Sequence, residues 1–427
     1  MLTEIIYGTG EKLLELPEGV TVIRKKRVPA IESPERHIAG VLEKPIESAP
    51  LLSIARGKRD AVIAVSDNTR PVPNGLLLPP ILKTLEEAGV GRIRILIATG
   101  LHKPLSSEAI EEILGSDIVS KYEVINHDAL SENVSYLGET RRLRFPIYIN
   151  REYVQADLKI LTGLIEPHFM AGYSGGRKSI CPGIASVETV KHMHSAKVLE
   201  SPYAASCVID ENPFHIEALE IAERAGCDFI LNVVLNDLKE ISGVFGGDLV
   251  GAHKEGMAFA HSHSIVSTKR RFKVVITGNG GYPLDRNYYQ TVKGLVNCLG
   301  ILEDEGEILM LSECSDGLGS EYFRAGLGRL REFGNFDAYI DHISDIRNFE
   351  IDQWEVEELV KVLRKARIKI YTELPEDDCR LGFAQKVEDS SAYVREVFER
   401  IRPEEVAVIP EGPYVVPVES ITLEVNQ

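Results

Sequence analysis

The chain is poor in the features that mark several common protein classes. It has a single tryptophan, five methionines and only 7% aromatic residues. Its six cysteines stand at positions 181, 207, 227, 298, 314 and 379. None forms a CxxC pair, and the spacing builds neither a disulfide framework nor a zinc cluster. They read as reduced thiols of a cytoplasmic protein, most of them in the core. No run approaches the roughly 18 uninterrupted apolar residues of a membrane helix. The opening MLTEIIYGTGEK lacks the basic-then-apolar order of a signal peptide. Basic residues are also in deficit, 48 Lys and Arg against 65 Asp and Glu, for a net charge of −17. A general nucleic-acid surface needs a basic face, and so does an anionic membrane surface, so neither is expected as a partner. A local cationic pocket can still take a small anion inside an acidic shell.

At 427 residues, with 44% hydrophobic and 26% charged, the chain suits two soluble globular domains. The YGTGEK segment reads as a hairpin turning on Gly8 and Gly10. Four apolar, β-rich runs follow: DAVIAV, RIRILIA, KYEVINHD and DLKILTGLI. Helical segments lie between them, LLLPPILKTLEEAG ending at Gly89 and then SSEAIEEILG. Strands alternating with helices predict an α/β fold with mainly parallel sheets. A second α/β unit begins near Thr268, with RFKVVITGN, the helix YYQTVKGLVNCLGIL, EGEILMLSEC and RIKIYTEL. The expected division is an N-terminal domain over 1–266 and a C-terminal domain over 267–404, with an active-site cleft between them. The tail 405–427 reads as a strand that is open to either domain.

In parallel α/β sheets, ligands sit outside the carboxyl ends of the strands. Asp67 and Arg70 follow the first run, His102 the second and His168 the last. Each alone is an ordinary polar loop residue, but together they outline a site. GYSGGRKS ends like a P-loop but fails the pattern, because Arg177 rather than glycine precedes Lys178. It is either an anion-binding loop, whose glycines let backbone amides reach a phosphate, or a tight turn. GNGG at 278–281 is not a dinucleotide fingerprint. His192 and His194 form an H-x-H pair that is either a metal site or chance. Of the remaining histidines, His37, His127, His215, His253 and His342 read as surface or capping residues. Tyr289 and Lys293 share a helix face, with Gln290 beside them. Trp354 reads as a packing anchor.

The segments DNTRPVP, ATGLHKP, EPHFMAGYSGGRKSICPG, GGYPLDRNYYQTVKG and DQWEVEEL occur in one order across nearly the whole chain. In this the chain resembles the lactate racemase family, and the long block around Lys178 is the most distinctive segment. The resemblance implies a nickel pincer nucleotide, pyridinium-3-thioamide-5-thiocarboxylic acid mononucleotide with Ni(II), joined covalently to Lys178. It makes His194 the metal ligand, since the family's histidine follows the anchoring lysine by sixteen residues. Soft sulfur and imidazole donors suit Ni(II). Asp67, Trp354, Gly175 and Gly176 would lie at the cofactor, the two glycines on backbone physics alone. His102 and His168 match the family's acid–base pair. Arg70 and Lys293 match its cationic substrate residues, with Tyr289 and Gln290 beside them. The implied reaction racemises or epimerises a 2-hydroxy acid, lactate or a relative, by proton-coupled hydride transfer through a bound 2-keto acid. Partners are then the small hydroxy acid and the cofactor-synthesis enzymes; the sequence does not set the oligomeric state. The competing readings are an NAD-dependent 2-hydroxyacid dehydrogenase, which should carry a GxGxxG that is absent, and a non-catalytic nucleotide- or metal-binding protein, which needs no pair of bases.

Overall fold

A computed structural model describes residues 1–420, and the chain divides into two compact units. One comprises Arg27–His194 and Ser201–Ser262. The other comprises Met1–Lys26, Ser195–Glu200 and the chain from His263 onward.

The Arg27–Ser262 unit is built on a six-stranded sheet in the order Ile241–Gly247, Phe229–Leu235, Leu158–Leu164, Asp60–Ser66, Arg92–Ala98, Glu123–Asn126. All pairs are parallel except the antiparallel edge hairpin formed by the first two. The central strand DAVIAVS has Ala61 to Val65 fully buried, as expected of a parallel strand covered on both faces. Each such Val or Ile contributes about 1.5–3 kcal/mol by leaving water. Helix Asn74–Glu87 buries Leu77, Leu78, Ile81, Leu82 and Leu85, one face of a helical period, against Ile63, Ile95 and Ile97. It ends where expected, before Gly89, whose φ of 81° suits glycine.

The other unit carries a second six-stranded sheet in the order Ala384–Val387, Ala366–Tyr371, Leu302–Leu311, Phe272–Gly278, Val406–Ile409, Thr21–Val22, parallel throughout. The expected hairpin is present, with Leu2–Tyr7 antiparallel to Gly10–Glu15 and Gly8 at φ 57°.

The division into 1–266 and 267–404 needs correction at both ends. Val22 pairs with Val408, and Ile5, Tyr7, Leu14 and Leu16 share a core with Val274, Ile276 and Val406. The first 26 residues therefore fold with the C-terminal part, as does Ser195–Glu200. Within the tail, Val406–Ile409 joins this second sheet, and Val416–Glu419 pairs in parallel with Ile265–Thr268. The tail's last residues, 421–427, lie outside the described ones. No helix among the described residues is long and apolar enough to cross a membrane.

Candidate active site

Three neighbouring strands of the first sheet, Arg92–Ala98, Asp60–Ser66 and Leu158–Leu164, release their loops at the same edge. The sequence placed Asp67, Arg70, His102 and His168 there, and the loops do engage each other. Asp67 is 5% exposed and accepts from the amide of Thr69 at 3.1 Å and from its hydroxyl at 2.6 Å. Its other oxygen lies 2.6 Å from Nδ1 of His102. Burial would raise this carboxyl, but the hydrogen bond and charge of His102, the Thr69 hydroxyl and the charge of Arg70 outweigh it and hold the group below its ordinary value. Asp67 is therefore a carboxylate and can only accept. Nδ1 of His102 carries the hydrogen of that bond, and in the neutral ring Nε2 keeps the lone pair.

Arg70 pairs at 3.4 Å with Glu166, a residue that the sequence pattern does not single out. The pair joins the loop after Asp60–Ser66 to the loop after Leu158–Leu164. Both side chains remain about a quarter exposed, 24% and 23%.

His168 sits on a short ladder, Pro167–His168 against Gly172–Tyr173. Its Nδ1 accepts the backbone amides of Met170 at 3.2 Å and Ala171 at 3.3 Å. Backbone N–H groups cannot accept, so the neutral ring carries its hydrogen on Nε2. The two histidines thus hold opposite tautomers.

Lys178 lies in the 3₁₀ turn Gly176–Ser179, with Nζ 5.6 Å from the centre of the Phe214 ring. His194 packs edge-on against the same ring at 5.2 Å. Phe214 is thus flanked by the two residues that the family resemblance pairs. His194 is buried at the end of helix Val187–Met193 and its Nδ1 lies 3.0 Å from the carbonyl of Val190, to which it donates. That bond leaves the lone pair on Nε2. Burial, aided by the charge of Lys178, lowers the ring to about 4 and keeps it neutral. A neutral imidazole whose other nitrogen donates to a carbonyl is the usual form of a metal-binding histidine. His192 instead packs on Phe145, with ring centres 5.1 Å apart.

The glycines of GYSGG have a packing cause that the sequence did not show. A Cβ on Gly175 would lie 2.8 Å from Asn232 Oδ1, and one on Gly176 2.8 Å from the ring of His253. The Gly176 amide donates to Asn232 Oδ1 at 2.8 Å. That amide is committed to the protein, which corrects the expectation that Gly176 offers it to a phosphate. His127 and His253 are likewise not surface residues; they are 1% and 3% exposed. Nε2 of His127 bonds the carbonyl of Ala185 at 2.9 Å, and Nε2 of His253 that of Ser174 at 2.9 Å. Both staple loops that carry site residues.

In the other unit, helix Tyr288–Asn297 is capped by Asn287, which accepts the amide of Gln290 at 3.0 Å. Lys293 donates to the side chain of Gln290. Tyr289 accepts from the indole of Trp354 at 2.9 Å, and Trp354 stacks on Phe349. The anchor reading of Trp354 agrees with this packing. Glu355, next in sequence, is 1% exposed. Burial raises it well above the carboxylate range, although the charge of Lys293 opposes this. Among the described residues this unit thus gathers Tyr289, Gln290, Lys293 and Trp354 around one pair of helices, with Glu355 as an addition the sequence did not single out.

An ionised aspartate orienting one imidazole, a second imidazole of opposite tautomer, and a guanidinium on adjoining strand ends define an α/β protein equipped to bind a small anion and shift protons beside it. The chain belongs to the lactate racemase family. Residues 7–206 match the lactate racemase N-terminal domain and residues 267–417 the C-terminal domain. It is 36% identical to the lactate racemase of Thermoanaerobacterium thermosaccharolyticum over 377 residues, 87% of this chain and 88% of that protein. It is also 36% identical to the lactate racemase of Lactiplantibacillus plantarum over 380 residues, again 87% and 88%. The solved lactate racemase apoprotein of T. thermosaccharolyticum superposes with a TM-score of 0.91 at 33% identity, covering 98% of this chain and 100% of that one. A Thermotoga maritima protein at 19% identity, with a TM-score of 0.65 over 93% of this chain and 100% of that one, shares the fold alone.

Proposed function

We propose that this chain is an isomerase, a racemase or epimerase of lactate or a related 2-hydroxy acid. The observation that carries this reading is the opposite tautomers of His102 and His168, a proton acceptor and a hydrogen-bond donor on neighbouring strand-end loops. Arg70 offers a guanidinium to the substrate carboxylate, in exchange with Glu166. His102 takes the hydroxyl proton at Nε2, and Asp67 steadies the imidazolium that forms. His168 directs Nε2–H at the substrate oxygen where charge develops, as a neutral imidazole can. The family resemblance assigns Lys293, Gln290 and Tyr289 to the substrate as well.

The residues present fit the nickel pincer nucleotide. Lys178 is the amine to which it would be joined, and Nε2 of buried, neutral His194 the nitrogen for nickel. Asp67 and Trp354 are its further neighbours by resemblance. Among the described residues no group of three or more His, Cys, Asp or Glu is arranged to hold a metal. By the family resemblance, a nickel ion at His194 would draw its other donors from the nucleotide. When bound, the group supplies a reversible acceptor for the hydrogen on C2 of the substrate. Maturation then requires the cofactor-synthesis enzymes, and the free cysteines suit the cytoplasm.

The test is mass spectrometry of protein produced together with those enzymes. A nucleotide adduct on the peptide holding Lys178, with bound nickel, is the expected result. An unmodified peptide together with NAD-dependent hydroxyacid oxidation would contradict the proposal.

A further inference from the structure

Arg177 is a buried cation that no carboxylate among the described residues pairs with. It is 1% exposed, and burial lowers its guanidinium to about 9. Carrying a charge into the interior without a counter-ion is costly unless its donors are well used. Arg177 commits one nitrogen to one turn. Nη2 donates to the carbonyl of Ala171 at 2.6 Å and to that of Tyr173 at 3.1 Å, while Nη1 lies 3.4 Å from a His253 Nε2 that gives its own hydrogen to Ser174 and Nε has no hydrogen-bond partner among the described residues. His253 and His215 are held neutral near 3 by burial first and by the charge of Arg177 second. They add no second positive charge.

The same turn is gripped elsewhere. Asn212, fully buried, donates Nδ2 to the carbonyl of Met170 at 3.0 Å and to that of Val208 at 3.0 Å. The amide of Cys207 donates to the carbonyl of Gly172 at 3.0 Å. All carbonyls from Met170 to Tyr173 are thereby held from outside the turn. Gly172 has φ 76°, and a Cβ there would lie 2.2 Å from the carbonyl oxygen of Val208, so the turn has no slack on that side either. A peptide whose C=O is fixed has the N–H of the next residue fixed too, because the unit is planar. The Met170 carbonyl held by Asn212 thus fixes the N–H of Ala171, which points at Nδ1 of His168, and the N–H of Met170 points there from the start of the same turn.

The geometry points to Arg177 and Asn212 as positioning residues. By clamping the 170–173 turn they hold His168 in the neutral Nε2–H form, and so separate its role from that of His102. Neither residue needs to touch substrate. The tautomer assignment stands on the structure alone; its catalytic consequence rests on the proposed racemase reading.

Three variants separate positioning from stability. Asn212→Ser removes the amide donors but leaves a side-chain oxygen to cap helix Pro213–Ala225, the task Asn212 performs by accepting the His215 amide at 3.1 Å. Arg177→Met removes the clamp at similar length, and Arg177→Lys restores a donor. The readout is the imidazole ¹⁵N spectrum of protein without cofactor, with the His168 resonances identified by their loss in His168→Gln. Wild type and Arg177→Lys are expected to show an acceptor-type Nδ1 and a protonated Nε2. Asn212→Ser and Arg177→Met are expected to show mixed tautomers. In loaded enzyme with an intact Lys178 adduct, the same two variants should lose roughly tenfold or more in kcat with little change in KM. A wild-type Nδ1 that carries the hydrogen would overturn the proposal. So would variants that melt earlier yet keep the wild-type tautomer and kcat. Shifted tautomers in a protein that racemises no hydroxy acid would uphold the positioning role and remove the racemase reading instead.

Discussion

Asp67 and Glu355 are both buried acids, 5% and 1% exposed, in different units of the chain, yet their protons behave in opposite ways. Burial pushes both upward. At Asp67 it is outweighed by direct hydrogen bonds from His102 and Thr69 and by the charge of Arg70. At Glu355 the charge of Lys293 does not outweigh it, and one carboxyl oxygen lacks a hydrogen bond in the structure. The difference teaches that short, specific donors rather than depth decide whether a buried acid is charged. The strand-end site keeps a carboxylate because it must orient an imidazole. In helix Gln353–Leu363 burial likewise raises Glu357 and Glu358, the latter against its ion pair with Lys361 at 2.7 Å.

The largest effect is expected at the imidazoles. His102→Ala or His168→Ala should lower hydroxyacid turnover by roughly 10²–10⁴-fold while the Lys178 adduct persists. Loss of the adduct in both would mark these histidines as structural. Asp67→Asn comes next. An amide can donate to Nδ1 of His102 and so place the ring's hydrogen on Nε2, and kcat should fall about 10²-fold or more. Wild-type kinetics in this variant would remove Asp67 from the mechanism.

Stability against pH separates the two acids. Asp67 has a depressed folded-state pKa. Its contribution is present above the unfolded value of about 3.9 and is lost as pH falls through the folded value. Glu355 has a raised one. Its contribution is present below about 4.3 and is lost as pH rises through the folded value. Lys293, Glu358, Asp352 and Lys361 are the charges that act on it. Glu355→Gln should therefore raise Tm at pH 7, by roughly 3 °C, and leave it little changed at pH 4. An equal shift at both pH values would mean that Glu355 is charged after all. The smallest effect is expected at Glu166. Its pair with Arg70 is partly exposed and contributes at most about 1 kcal/mol. Glu166→Gln should leave Tm nearly unchanged and lower KM for an anionic substrate about twofold, measured by initial rates. A raised KM would show that Glu166 orders Arg70 for the substrate rather than competing with it.

Much of the strand-end set was legible because hydrophobic runs announce buried parallel strands, and the next polar residues fall at their ends. Asp67, Arg70, His102 and His168 needed no more than that. Glu166 was not legible. It lies in the same loop as His168, but its pairing with Arg70 follows from Leu158–Leu164 lying beside Asp60–Ser66, which is a matter of sheet order. The tautomers were hidden for the same reason, since they depend on which amides face Nδ1. Glu355, Glu357 and Glu358 look like the wet face of a helix, and only packing reveals them as buried. The membership of the first 26 residues in the second unit rests on Val22 meeting Val408, a pairing across nearly the whole chain that no local pattern carries.

The central claim is that this protein interconverts the stereoisomers of a 2-hydroxy acid without a diffusible redox cofactor. Its most direct test is optical rotation of single enantiomers of lactate and a panel of related hydroxy acids, incubated with protein loaded at Lys178 and with no NAD present. The account predicts that one of these substrates loses its rotation toward the equilibrium mixture, from either enantiomer or epimer. Constant rotation across the panel, with the adduct and nickel confirmed in the same sample, would contradict it.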